Sequence, residues 1–285
     1  AGGIGLFAFQ QAAVKLNGTN NVIDGNIGDG FSADALNYFD SLKLDMNLSQ
    51  TTFNNNTLTG FRSNGISFGT LIWTANQFSS NSEDGVRFVA TDDKNDYYER
   101  RVGGQDISIR ALQSHFDANG ANGARLGQGV SASFGDGTEV NANTFDSNTA
   151  DGLKITQSGG AYLAGKNSNI SGTGSTYEFR RHIGASLNYF RDNGGDGIDI
   201  GHFVQTEGGN VELGDEVITD THVKVDQAII TGNGGDGIEY LADSILRIAP
   251  VSGGGQQNQN LLHNSSLAVS NSRISNNAKR GIDVL

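Results

Sequence analysis

The stretch Ser186–Ile200 reads SLNYFRDNGGDGIDI, and its informative positions are Phe190, Asn193, Asp196, Gly197, Ile198 and Ile200. Written as a pattern it is F-x-x-N-x-x-D-G-Φ-x-Φ, with Φ apolar. The same pattern fits the chain eight times without an internal gap. Its central residues are Asn26, Asn56, Asn81, Asn119, Asn148, Asn193, Asn233 and Asn277. Three residues before each stands an apolar anchor: Ile23, Phe53, Phe78, Phe116, Phe145, Phe190, Ile230 and Ile274. Four residues after each stands glycine: Gly30, Gly60, Gly85, Gly123, Gly152, Gly197, Gly237 and Gly281. An apolar residue follows every one of these glycines. An alternating apolar pair sits upstream, as in Leu71-x-Trp73, Val223-x-Val225 and Leu267-x-Val269. Ser63, Gly18 and Thr138 are weaker members of the pattern.

Self-similarity of this kind dictates the fold. Period-two alternation predicts short strands with one buried face. Asp-Gly and Asn-Gly predict turns in which glycine takes a positive φ. No helical periodicity persists for more than a few residues. Strand, turn, strand and turn at a short repeat predict the coil of a β-solenoid. One coil alone leaves its apolar face open, so coils must stack and share a core. With strands about 4.8 Å apart, eight coils make a rod roughly 40 Å long. Stacking superposes equivalent residues, and the central Asn then form a ladder of amides.

The chain has 285 residues, no cysteine, one proline, 41 glycines and a formal net charge of −12. Length allows one or two domains, and the uninterrupted repeat favours one solenoid segment over residues 1–285. The absence of cysteine excludes a disulfide framework and thiolate metal sites. The acidic balance argues against nucleic acid or an acidic membrane surface as partner. No apolar run approaches the roughly 20 residues needed to span a bilayer. Gly3-Ile4-Gly5-Leu6 fits the tail of a preceding copy, and Ile282–Leu285 ends inside a strand. Neither end shows the capping element a solenoid needs. The expectation is a segment of a longer solenoid, or chains that stack end to end through open strand edges.

The repeat resembles that of right-handed parallel β-helix proteins, the pectate-lyase-like superfamily. The resemblance covers nearly the whole chain and implies an all-β fold: a single right-handed parallel β-helix of about eight or nine coils. It carries less about function, because that superfamily holds polysaccharide lyases, uronan epimerases, glycoside hydrolases, phage tailspikes and surface adhesins. No local catalytic motif appears. The chain is therefore expected to be a secreted or cell-surface, adhesin-type solenoid. The alternatives are a carbohydrate-active enzyme and a tailspike-like segment.

Four inserts separate the copies: Val89–Ser108, Thr156–His182, Gly201–His222 and Leu241–Ser266. All enter the coil at one corner, so long loops with some extra strand should cover one flank, where binding usually sits. Two insert runs, DDKNDYYERR and YEFRRH, combine aromatic and basic residues. Tyr97, Tyr98, Arg100, Arg101, Tyr177, Arg180, Arg181 and His182 would suit an acidic glycan, by ring stacking and carboxylate pairing. At the turn, Asp151, Asp196 and Asp236 fall on successive coils. Like charges stacked this way are unfavourable. Either the side chains splay into water and cap their own turns, or a hard cation such as Ca²⁺ sits among them. Outward positions Lys154, Asp199, Glu239 and Asp283 should share one sheet face. The five histidines show no metal-ligand spacing.

Overall fold

The computed structural model describes residues 3–8, 11–35, 41–64, 66–88, 106–127, 130–155, 176–201, 203–206, 216–241, 245–248, 260–263 and 266–285. These residues form an essentially all-β structure in which every strand pair is parallel. The one helical element described is a single 3₁₀ turn, Glu139–Asn141.

The residues after each repeat glycine form the first sheet. Its nine strands run in sequence order: Ile4–Ala8, Phe31–Ala35, Phe61–Asn64, Val86–Phe88, Ala124–Leu126, Leu153–Ile155, Ile198–Ile200, Ile238–Tyr240 and Ile282–Val284. The upstream alternating segments form the second sheet. Gln11–Thr19, Ser41–Ser49, Ile66–Thr74, Asp106–Leu112, Ser131–Phe134, Thr176–Ser186 and Glu216–Asp226 follow one another, and both Asn260–His263 and Ser266–Ser270 pair with Glu216–Asp226. The apolar anchors form the third. Isolated bridges link Val22, Thr52, Gln77, His115 and Thr144, and continue into the strands Thr144–Asp146, Tyr189–Arg191, Ile229–Thr231 and Arg273–Ser275. Each repeat gives one strand or bridge to each sheet and pairs with the repeats before and after it. This solenoid-like stacking is the arrangement the spacing predicts.

The core is columnar. Phe53, Phe78, Phe116, Phe145 and Phe190 are fully buried and stack face to face, with successive ring centroids 5.0, 5.2, 4.7 and 4.8 Å apart. These separations match the strand spacing of a sheet, so backbone pairing and ring stacking share one repeat. Trp73 and Phe134 meet the column at an angle and fill the space toward the second sheet.

The amide ladder is continuous. In each of its seven links, from Asn26 to Asn277, the Asn Nδ2 donates to the Oδ1 of the next Asn at 2.8–3.1 Å. The same Oδ1 accepts the backbone N–H of the preceding Asn. From Asn81 onward to Asn233, the second Nδ2 proton goes to the carbonyl of the anchor one repeat earlier, as in Asn193 to Phe145 at 2.9 Å. A second ladder runs five residues upstream through Asn21, Thr51, Asn76, Ser114, Asn143 and Asn188. It mixes amides with hydroxyls and ties the corner between second and third sheets.

The role expected of the repeat glycine needs correction. None of the eight takes a positive φ. The left-handed corners are held mostly by non-glycine residues, two in most repeats. One lies just before the ladder Asn, at Asn55, Ser80, Ala118, Ser147, Asp192 and Asn276, and another five residues earlier, at Asn20, Gln50, Ala75, Gln113, Leu187, Gln227 and Asn271. Their backbone N–H groups still bond to the neighbouring repeat, as Ala118 does to Asp146 at 2.8 Å, which offsets the strain. Glycine is required instead by close approach. A Cβ at Gly152 would lie 2.7 Å from the Gly197 carbonyl oxygen and 3.0 Å from the Asn193 amide nitrogen.

Candidate functional site

Among the described residues, three places outside the core gather chemistry-bearing side chains that the stacking register assembles. The first is the turn column. Asp151, Asp196 and Asp236 neither splay into water nor cap their own turns. They are buried and aim along the stack, each Oδ1 accepting the backbone N–H of the equivalent residue in the next repeat. Asp151 accepts from Asp196 at 2.8 Å, Asp196 from Asp236 at 2.5 Å, and Asp236 from Arg280 at 2.6 Å. The carboxylates thus replace ladder bonds that a tight turn would leave unmade.

Beside this column runs the outward face of the first sheet: Arg62, Arg87, Arg125, Lys154, Asp199, Glu239 and Asp283 in one file. Where the file is basic it neutralises the turn acids. Arg62 reaches Asp29 at 2.8 Å, Arg87 lies 3.9 Å from Asp84, and Lys154 pairs with both Asp151, at 3.0 Å, and Asp199. Burial works against the Lys154 ammonium, yet the bonds and charges of Asp199 and Asp151 outweigh it and push its pKa up to about 12. Beyond Lys154 the file turns acidic. Burial, then the charges of Asp151, Asp199 and Asp236, raise the Asp196 carboxyl above its ordinary value. Glu239 is raised by burial and by Asp196, Asp199 and Asp236. Asp196, Asp236 and Glu239 each offer an oxygen within 4.8 Å of the others, as do Asp151, Asp196 and Asp199. Lys154 already serves the second group. The first group has a looser cation, Lys279 Nζ at 3.9 Å from Asp236 Oδ2, and its three carboxylates suit a hard divalent ion.

The second place is a band on the outer face of the third sheet. His115 and Thr144 are neighbours in one file, which Tyr189 continues; Asp117, Asp146 and Arg191 form the next. The Thr144 hydroxyl donates to Asp117 Oδ2 at 2.6 Å and lies 2.8 Å from His115 Nδ1. With the hydroxyl proton committed to Asp117, this network assigns the His115 proton to Nδ1 and leaves Nε2 as the acceptor. The hydrogen bond to Asp117, 3.4 Å away, raises the His115 pKa against the effect of burial. Asp146 is held above its usual range by burial, although Arg191 binds it through Nε at 3.0 Å and through Nη2. The Arg191 guanidinium in turn lies 4.8 Å above the Tyr189 ring. The band offers an oriented base, two carboxylates and a cation on one exposed face.

The third place is a trough of about 440 Å³ on the outer face of the second sheet. Gly184, with no side chain, and the small Ser133 and Ala268 make its low centre. Ser131, His182, His222 and Ser266 form a file along one side, and Lys224 stands in the central file itself, between Gly184 and Ala268. The His182 and His222 rings stack with centroids 5.2 Å apart and planes 17° apart. Among the residues lining the trough no acid occurs, in a chain of net charge −12. Ser108, His182, His222 and Ser266 are also the last residues of the four inserts read from the sequence, but the sheet begins before the first three, at Asp106, Thr176 and Glu216.

The residues expected to bind glycan are divided by this geometry. Tyr97, Tyr98, Arg100 and Arg101 lie outside the described residues. Tyr177, Arg180 and Arg181 stand on the strand Thr176–Ser186, where Tyr177 pairs with Val217 and Arg180 with Asp220, so YEFRRH is strand and not loop. Of the set, His182 lines the trough. Its partner His222 has a sequence signature: the two lie eight residues before the anchors Phe190 and Ile230. Equal offsets in a stacked repeat put them side by side. His115 and Asp117 carry a similar signal, four and two residues before Asn119. Comparison with protein-family models, with curated proteins and with solved structures finds no match to this chain.

Proposed function

We propose that the chain is part of a secreted or cell-surface, adhesin-type solenoid that contacts glycans through the flank that bears its inserts. In this proposal the parallel sheets wind as a single right-handed β-helix of eight or nine coils, of the pectate-lyase-like kind. Parallel crossovers are overwhelmingly right-handed, which favours that winding. The observation that carries the functional reading is the trough on the outer face of the second sheet. It has an apolar floor for a sugar ring, hydroxyls from Ser131, Ser133 and Ser266 for sugar hydroxyls, and Lys224 for an acidic substituent. A ladder unbroken from Asn26 to Asn277 supports a stiff, extended scaffold beneath it. Calcium belongs to the proposal at Asp196, Asp236 and Glu239; chelation by EDTA should then lower the melting temperature, and no change on chelation removes it.

The test is a panel of uronans and neutral glycans, measured against the chain and against Gly184→Trp. A Cβ at Gly184 meets nothing nearer than 4.0 Å, so the indole fills the trough without disturbing the sheet. Binding to the chain that Gly184→Trp abolishes at unchanged melting temperature supports the reading. Binding that survives the substitution, or none across the panel, overturns it.

A second reading, a carbohydrate-active enzyme, is favoured by the His115–Asp117–Thr144–Asp146–Arg191 band. General acid–base work needs a positioned base with a shifted pKa, and His115 has both. Release of new reducing ends or unsaturated products from the same panel, lost in His115→Ala, would support it.

A further inference from the structure

The geometry points to a site for a divalent transition-metal ion on the outer face of the second sheet, held by the Nε2 atoms of His182 and His222. It does not rest on glycan contact. The two histidines are in register on adjacent parallel strands, with rings face to face at 5.2 Å. A metal bound by both needs ring nitrogens roughly 3 Å apart, given bonds of about 2.0–2.1 Å. The rings as they stand are 17° from parallel, so each must turn about its side-chain torsions for the two lone pairs to converge on one ion, and the open trough beside them leaves room for that turn.

Independent support comes from the atoms behind the rings. His222 Nδ1 lies 2.9 Å from the Ser266 hydroxyl. That partner oxygen fixes the ring, and a proton held on Nδ1 turns the Nε2 lone pair outward, as metal-binding imidazoles require. The backbone N–H of His182 donates to the Ser131 hydroxyl at 3.2 Å, which anchors the strand on its other side. Gly184 leaves room for the water molecules that would complete the coordination. Lys224 is the one cation lining the trough, and Asp226 follows two positions along the same strand and balances it. With two neutral imidazoles and no carboxylate, the donor set selects Cu²⁺, Ni²⁺ or Zn²⁺ over Ca²⁺ or Mg²⁺, Cu²⁺ binding tightest.

The experiment is a calorimetric titration of the full chain with Cu²⁺, and separately with Zn²⁺, in excess Ca²⁺. One equivalent should bind, with an affinity that Ca²⁺ leaves unchanged. His182→Ala and His222→Ala should each weaken binding at least tenfold, while their melting temperatures without metal stay at the wild-type value, because both rings are outward. Ser266→Ala keeps both ligands and should weaken binding by roughly tenfold. Equal affinities for the chain and a His182→Ala/His222→Ala double variant overturn the site, as does an absence of binding. Displacement by Ca²⁺ also overturns it, by moving the ion to carboxylates. None of these outcomes depends on the glycan panel, which reads Gly184→Trp.

Discussion

Replacing Asn193 by alanine should be among the most damaging single substitutions in the chain. Its Nδ2 donates to the Phe145 carbonyl and to Asn233 Oδ1, both at 2.9 Å, and its Oδ1 accepts from the backbone N–H and Nδ2 of Asn148, both at 3.0 Å. Alanine removes all four bonds. Asn233 Oδ1 keeps the Asn193 backbone N–H at 3.1 Å, so it is not orphaned. Three buried groups are: the Phe145 carbonyl, the Asn148 N–H and one Asn148 amide proton. Each orphan costs about 1–3 kcal/mol, so the loss should be about 3–6 kcal/mol after local relaxation. Asn277→Ala provides the internal scale. Its Nδ2 has no hydrogen-bond partner among the described residues, and only its Oδ1 serves the ladder, so alanine there orphans two groups, the Asn233 N–H and one Asn233 amide proton, and the loss should be about two-thirds as large. Urea unfolding followed by circular dichroism at two wavelengths measures both and checks that the transition remains single. A loss under about 1 kcal/mol for Asn193→Ala, or equal losses for the two, would refute the assignment of the ladder as what fixes the stack.

Gly152→Ala should cost about 2–3 kcal/mol, since its Cβ meets the backbone oxygen of Gly197. Gly25→Ala, with φ of 68° and nothing within 4 Å of the new Cβ, should cost only about 1 kcal/mol. Equal costs in denaturant melts would mean that close approach is not the reason for the repeat glycine. Ala118→Asn should stabilise by about 0.5–1 kcal/mol, because Ala118 is exposed at φ 55° where asparagine is tolerated. A fall in the denaturation midpoint would contradict this. Glu239→Gln should raise the melting temperature at pH 7 and leave it unchanged below about pH 4. The folded-state pKa of Glu239 is raised, so ionisation opposes folding. That penalty appears as pH climbs through the ordinary carboxylate range and is complete above the raised value. Relief of the like-charge contacts should be worth no more than about 1 kcal/mol. Lower stability of Glu239→Gln at pH 7 would mean that a bound cation already satisfies the cluster.

Anchors, ladder Asn and first-sheet strands were legible because a single residue type, or an apolar class, recurs at fixed offsets. The second ladder was not, although it stands five residues before each Asn. Asn21, Thr51, Ser114 and Asn188 do the same hydrogen-bonding work with different groups, so identity varies where geometry does not. The glycines were found, but for the wrong cause: a chain read in one dimension shows a turn and hides the repeat above it. The same blindness affected the sites. The sequence put His182 with arginines nearby in the chain, whereas stacking gives it His222, forty residues away. His115, Asp117 and Arg191 come together only because three repeats superpose. The turn acids were expected in water or around an ion, and one oxygen of each accepts a backbone N–H of the next repeat, a partner no side-chain pattern displays.

The central claim is that matching positions of successive repeats lie one above the next. The chain has no cysteine, so engineered pairs report position without interference. Asp199 and Glu239 are Cα partners on adjacent strands, whereas Lys154 and Glu239 are separated by the strand that carries Asp199. Strands about 4.8 Å apart fit the Cα separation of a disulfide, and twice that does not. Under mild oxidation, a chain with cysteines at 199 and 239 should close its disulfide, and one with cysteines at 154 and 239 should not. Closure of both pairs at the same rate, or of the second alone, would contradict the stacked register.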